Sequence, residues 1–303
     1  APVPAPGTAL AFAENPVRWG APPPPERLSP SAIAAFLQSP LLYWLTHVLR
    51  LGTTDDLPDG VSASLLGTLV HDALRVLPEV PKTVGQEALA EVLLARLRAC
   101  FARRFGGDLP VTVLAARRSA ERRIRAAARL EATLRGEGWE TVHVELRAQT
   151  RFAVDGRAVT LCGVLDRVDR NARTGAWRVL DYKTGKAGFG ATHAHWTARR
   201  GDAAPVWHSF QLPIYRLLAR EALGLAPDTP VELAYFALPD EGQAAISVYE
   251  DPNQDVPAAE ADLRRTLAAL LDLGLAPLPA EVGPFGDPLL ATLTAPTLGA
   301  PAP

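Results

Sequence analysis

Two apolar strand patterns joined by a polar turn constrain this chain most. Residues 159–165 (Val-Thr-Leu-Cys-Gly-Val-Leu) and 177–180 (Trp-Arg-Val-Leu) each read as a strand, and residues 171–175 between them are turn-forming. Strands joined by so short a turn become neighbours, so the residues at their ends can meet. Those residues are Asp166, at the end of one strand, and Asp181, at the end of the next, with Lys183 two positions further on. On an extended backbone positions i and i+2 point the same way, which puts an anion and a cation around one small volume. Carboxylate oxygens suit Mg²⁺ or Mn²⁺ and not a soft-ligand zinc site. A lysine beside them suits the charge that builds on a phosphodiester under attack. A lone Asp-x-Lys fits a strand-end ion pair capped by a turn just as well, so the pattern needs context.

Lysine is otherwise almost absent: Lys82, Lys183 and Lys186 are the only ones, and arginine carries the remaining basic charge. Two of the three fall in one short motif, where a compact ammonium does what a planar guanidinium does not. The formal net charge of −2 neither favours nor excludes nucleic acid; any phosphate-binding surface must be local. The clearest local one is a helix over residues 113–134, on which Arg118, Arg122, Arg125 and Arg129 recur at helical spacing. Such a stripe is either an ordinary solvated face or a track for backbone phosphate.

The rest of the chain frames these elements. Residues 1–27 are rich in Pro and Ala and read as a linker or extended arm. Ser29 and Pro30 open a helix to about His47, with Ile33, Phe36, Leu37, Leu41, Trp44 and Leu45 inward. Residues 51–63 read as a loop, 65–77 as a helix carrying His71, and 84–105 as another. A strand region over 142–154 precedes the two strands above. Then come a loop over 188–206, a helix over 208–223, strands over 231–238 and 245–249, and a helix over 257–271. The expectation is a mixed α/β domain over 28–275, in which 28–136 is mostly helical and 137–275 is the catalytic α/β core, with a Pro- and Gly-rich tail over 276–303. No run of eighteen apolar residues predicts a membrane span, and no basic-then-apolar opening predicts a signal peptide. Cys100 and Cys162 are far apart and define neither a disulfide framework nor a thiolate metal site, so a cytoplasmic setting is the default.

Five short motifs now carry a resemblance. Leu28-Ser29-Pro30-Ser31-Ala32-Ile33 opens the first helix; Gly67-Thr68-Leu69-Val70-His71 has the form G-x-x-x-H; residues 163–169 have the form G-x-x-D-R-x-D; residues 181–185 read D-Y-K-T-G; and Gln211-Leu212-Pro213-Ile214-Tyr215 has the form Q-x-x-x-Y. Each is weak alone. In this order and spacing, over roughly residues 28–238, the chain resembles the RecB/AddB-type branch of the PD-(D/E)XK nuclease superfamily. The resemblance implies a restriction-endonuclease-like fold, a mixed central sheet flanked by helices. It implies that His71, Asp166, Asp181 and the backbone carbonyl of Tyr182 bind Mg²⁺ or Mn²⁺, and that Lys183 is the catalytic lysine. Gln211 and Tyr215, at i and i+4 on one helix face, would position the active-site strand or the DNA backbone. Lys186 would touch phosphate, and the arginine stripe would contact DNA. Glu145 is expected to support the ligands from behind, and Asp169 to be a structural partner for Arg167 or Arg170. Read without the resemblance, His71 on an apolar helix fits a satisfied core histidine and Tyr215 fits packing.

Many members of that branch hold an iron–sulfur cluster through one cysteine in the opening helix and three near the C-terminus. Here Ser39 stands at the first position and no cysteine follows Cys162, so no cluster is expected. The implied activity is a metal-dependent deoxyribonuclease, an exonuclease on DNA ends or single strands in recombination and repair that leaves 5′-phosphates. The alternative is a catalytically silent DNA-binding or scaffolding module of a helicase–nuclease complex. A nucleotide or sugar-phosphate hydrolase would predict a closed pocket in place of an open groove. The chain has no methionine and no G-x-x-x-x-G-K-[ST] loop. That suits a piece of a longer polypeptide, with any helicase in another domain or subunit.

Overall fold

A computed structural model describes residues 25–51, 60–185, 190–198 and 204–272. A six-stranded mixed sheet lies between two helical layers. The long strands β2 (Trp139–Val154) and β3 (Arg157–Asn171) pair antiparallel along their whole length. The other edge of β3 is shared. Near its start it takes the two-residue strand β1 (Arg27–Leu28) in parallel, at Arg27↔Thr160 and Leu28↔Leu161. Further on it takes β4 (Trp177–Lys183) antiparallel. A parallel β7 (Val231–Ala237) and an antiparallel edge strand β8 (Ala245–Val248) complete the sheet. The β3–β4 turn is fixed by Asn171, whose side-chain oxygen accepts from the amides of Arg173 and Thr174, and by Gly175 at φ +75°.

One layer packs α1 (Pro30–Gln38), α7 (Gln211–Leu223) and α8 (Val256–Leu271) on the sheet through Ile33, Leu161, Val168, Val179, Ile214, Leu218 and Leu263. The other packs α3 (Ala63–Leu74), α4 (Gln86–Phe105) and α5 (Val111–Gly136) through Val70, Leu93, Phe101, Ile124, Leu180 and Phe236. Of the N-terminal helices, α3, α4 and α5 therefore form one face of the sandwich, and α1 lies on the other. Among the described residues no helix is long and apolar enough to cross a membrane.

Two expectations change. The helix read as continuous from Ser29 to His47 breaks at Ser39, where the backbone is extended (φ −165°, ψ 128°). Pro40 disfavours the helical conformation at the residue before it, and at Ser39 α1 ends; a four-residue α2 (Pro40–Tyr43) restarts and runs into a π-turn at Trp44–Val48. The stretch read as a loop over 188–206 contains α6 (Ala191–His195) and a short hairpin, β5 (Trp196–Thr197) with β6 (Val206–Trp207). Trp207 holds that hairpin down, stacking on Phe210 at 4.2 Å and donating its indole N–H to Asp262 at 2.8 Å.

Candidate active site

The site begins where the sheet splits. Pairing of β3 with β4 runs from Arg170↔Trp177 to Arg167↔Leu180 and stops; the next pair in register would be Asp166 and Asp181. Beyond it β4 stays with β7 as far as Lys183↔Ala237 and leaves β3. At the parting point the amide of Tyr182 donates to Asp166 Oδ2 at 2.9 Å, so a side chain takes the bond that a strand would have taken. Asp166 was expected to end its strand. Instead β3 runs through it to Asn171, because β2 keeps the strand extended from the other side. What ends at Asp166 is the pairing with β4.

Across β2, the register that joins Val144 to Arg167 and Leu146 to Leu165 sets Glu145 opposite Asp166. Glu145 has φ +51°, a left-handed conformation inside a strand that costs roughly 1–2 kcal/mol for a residue with a side chain. Its carboxylate meets Arg75 Nη2 at 3.2 Å. Strain of this kind persists where the surroundings over-determine it.

His71 arrives from the helical layer behind the sheet. Ser62 caps α3 by accepting the Leu65 amide, and one turn before His71 the helix passes close to the end of β4. A Cβ on Gly67 would stand 3.1 Å from Thr184 Oγ1, which is why glycine suits that position. His71 Nε2 donates to the Tyr182 carbonyl at 3.2 Å, and Nδ1 lies 3.5 Å from Asp166 Oδ2. Burial lowers the His71 pKa, so the ring is neutral and Nδ1 keeps a lone pair. His71, Glu145 and Asp166 each bring one ligand atom to within 4.8 Å of the others. The Asp166 carboxyl is pushed up to about 8, by burial first and by the Asp181 charge second. Crowded, poorly hydrated carboxylates beside a neutral imidazole form a donor set that a divalent cation relieves. Glu145, expected behind the ligands, thus stands in the same cluster as His71 and Asp166.

Asp181 faces the other side of the gap. It is 3% exposed, and its Oδ2 lies 2.6 Å from the Lys183 ammonium without an aligned hydrogen bond. Gln211, the first residue of α7, organises the pair. Its Nε2 donates to Asp181 Oδ1 at 2.8 Å and to Tyr215 Oη at 3.1 Å, and its Oε1 accepts from Lys183 Nζ at 3.3 Å. Lys183 Nζ also sits 4.7 Å over the ring of Tyr235, whose backbone pairs with that of Asp181. The close seating of α7 depends on Gly163, where a Cβ would meet Leu218 Cδ1 at 3.0 Å and Tyr215 Cε1 at 3.5 Å.

The remaining candidates lie elsewhere. Asp169 points into a buried ionic cluster with Arg167 and Arg178, at 2.6 and 2.9 Å. Arg118, Arg122, Arg125 and Arg129 are exposed along α5. Arg122 pairs with Asp240 at 2.7 Å and Arg125 with Glu91 at 3.7 Å. Arg122, Arg125 and Arg129 line an open depression of about 470 Å³ against the loop after β7. That loop starts at the Lys183 end of the sheet, where the Leu238 amide donates to the Lys183 carbonyl at 2.7 Å. Lys186 lies outside the described residues. Sequence reasoning missed Arg75 and Tyr235. Arg75 carried a signal, since it follows His71 by one helical turn; Tyr235 reads simply as an apolar strand residue.

Residues 27–282 match a family model described as the PD-(D/E)XK nuclease superfamily. Among solved structures, the chain is similar to a "putative exonuclease" from Eubacterium rectale at 12% identity and a TM-score of 0.44, covering 81% of each chain. It is also similar to SSO0001 at 19% identity and a TM-score of 0.26, covering 78% of this chain and 86% of that one. No curated relative matches.

Proposed function

The chain belongs to the PD-(D/E)XK nuclease superfamily, and from that premise we propose that it is a metal-dependent deoxyribonuclease of the RecB/AddB type. It acts as an exonuclease on DNA ends or single strands in recombination and repair, and leaves 5′-phosphates. The observation that carries this reading is the meeting, in one split of the sheet, of the His71–Glu145–Asp166 cluster with the Asp181–Lys183 pair.

Nucleases of this superfamily generally use divalent metal ions. The donor set fits Mg²⁺ or Mn²⁺, with His71, Glu145 and Asp166 as holders and Asp181 and the Tyr182 carbonyl at the margin; no iron–sulfur cluster is part of the proposal. A divalent ion there supplies Lewis acidity, polarising a phosphoryl oxygen and acidifying water. The chain supplies the rest. Lys183 is a point charge for the negative charge that gathers on phosphorus oxygens, aimed by Gln211 and by the face of Tyr235. Asp181 pairs with that ammonium at 2.6 Å. Arg118, Arg122, Arg125 and Arg129 neutralise backbone phosphate without reading bases, so cleavage has little sequence preference. DNA is the partner, delivered by a helicase domain or subunit.

The raised Asp166 carboxyl makes a pH prediction. Below about 8 it holds a proton that a cation must displace. Binding of Mg²⁺ or Mn²⁺ at pH 7 is therefore expected to release a proton, and affinity to rise with pH up to about 8 and then level. Titration calorimetry in two buffers of different ionisation enthalpy measures it. Without metal the sign is opposite for stability. The folded state binds this proton and the unfolded chain gives it up near pH 4, so this group's contribution falls as pH rises from about 4 to 8.

The deciding assay uses end-labelled single- and double-stranded DNA with Mg²⁺ or Mn²⁺. Shortening from ends, abolished by EDTA, is the expected result. A protein that binds these DNAs but cleaves none with either ion is the silent module instead.

A further inference from the structure

His195 is a buried histidine that none of the nuclease motifs contains. It is fully buried at the end of α6, and all its polar atoms are directed. Nδ1 donates to the Ala191 carbonyl at 2.7 Å, which fixes the tautomer and leaves a lone pair on Nε2. That lone pair accepts the amide of Leu212 at 3.1 Å. Leu212 is the second residue of α7, and its amide is one of the four that a helix start leaves without an internal partner. Phe210, at the capping position, has no side-chain oxygen to offer. The main chain of His195 acts on the same spot: its carbonyl accepts from the amides of His208 at 2.7 Å and Ser209 at 3.2 Å. One residue thus holds the approach to α7 and caps its first turn from outside the helix.

That first turn carries Gln211, which bonds Asp181, Lys183 and Tyr215. His195 reaches the lysine by a second route as well. Tyr235 Oη lies 3.5 Å from His195 Nδ1, and the Tyr235 ring is the surface over which Lys183 Nζ rests. We infer that His195 is a positioning residue that sets the place of the Lys183 ammonium through the N-terminus of α7 and through Tyr235. Burial lowers its pKa to about 4, in keeping with a neutral imidazole that donates from Nδ1 and accepts at Nε2. Ser209 Oγ accepts the amide of Gln211 at 3.1 Å, and His195, sixteen positions ahead of Gln211, takes the next one. The inference rests on the nuclease reading only for its rate measurement.

The test exploits the scarcity of lysine. With three lysines in the chain, side-chain labelling with ¹³C gives three resolvable ε-methylene signals, one of them shifted by the Tyr235 ring current. His195→Gln keeps an acceptor at the reach of Nε2; His195→Leu removes it, and His195→Asn is too short to reach Leu212 and serves if the leucine variant does not fold. The Lys183 signal is expected to move toward that of a solvent-exposed lysine in the Leu and Asn variants and to stay in the Gln variant. On DNA, kcat is expected to fall about 10- to 100-fold in the Leu or Asn variant with KM within about twofold, and to recover in the Gln variant. An unmoved Lys183 signal in Leu and Asn, or an equal effect in all three, overturns the inference. If the unaltered protein cleaves no DNA, the nuclease reading fails while the Lys183 signals still decide the role of His195.

Discussion

Asp181→Ala is expected to lower the single-turnover rate of metal-dependent DNA cleavage by roughly 10²- to 10³-fold while DNA binding stays measurable. The side chain joins both halves of the site. Its Oδ2 holds the Lys183 ammonium at 2.6 Å and its Oδ1 holds Gln211 at 2.8 Å, so its loss releases the lysine and the amide together. Its charge is also the second cause, after burial, of the raised Asp166 pKa. Without that charge Asp166 ionises more readily, and the proton released on metal binding should diminish at pH 7. The arginines of α5 lie on another element and are untouched, so anisotropy on labelled DNA should change little. A variant that cleaves within about tenfold of the parent protein would remove Asp181 from the chemistry.

Arg167→Met is expected to destabilise the fold by about 3–5 kcal/mol, read as a fall in the urea midpoint. Arg167 is fully buried. Its Nε donates to Asp169 at 2.6 Å and its Nη1 to Glu131 of α5 at 2.7 Å. Arg178 adds a second cation to Asp169 at 2.9 Å and stacks 3.9 Å over Trp139, and Arg135 joins Glu131 at 3.0 Å. Burial opposes the Arg167 charge, but Asp169 and Glu131 outweigh it and hold the pKa well above its ordinary value. Methionine fills the volume and leaves two buried carboxylates short of a cation. Arg167→Lys keeps the charge but not the fork, so its loss should be smaller yet still clear. A midpoint unchanged in Arg167→Met would mean that the cluster is dispensable.

Arg167 belongs to the same sequence motif as Asp166, and the sheet divides that motif by face. In G-x-x-D-R-x-D, Gly163 makes room for α7 and Asp166 faces the split, whereas Arg167 and Asp169 turn into the opposite core. The alternation of a strand made the elements legible, and the spacing of apolar residues gave most helices and strands within a few positions. The sequence also brought forward His71, Asp166, Asp181, Lys183, Gln211 and Tyr215, which the fold gathers around one gap. What was not legible depends on conformations that pattern does not carry. The φ of Glu145 that turns its carboxylate toward His71 and Asp166 is left-handed in a strand of ordinary composition. The cap on α7 is supplied from a segment whose Gly and His content reads as loop, and the break at Ser39 follows from a proline that a helical stripe of apolar residues disguises.

A β-sheet ordinarily insulates the helices on one side from those on the other. Here the parting of β3 and β4 removes the insulation at one place. His71 comes from the α3 layer and Gln211 from the α7 layer, and they reach Tyr182 and Asp181, adjacent residues of one strand, from opposite sides. The two halves of the site are therefore referenced to two separate hydrophobic cores. Loosening the α3–α4–α5 core should disturb the His71 side first and leave the lysine in place. Loosening the α1–α7–α8 core should do the reverse. Mutational damage to this protein should accordingly sort into two kinds of defect by layer, whatever its distance from the gap.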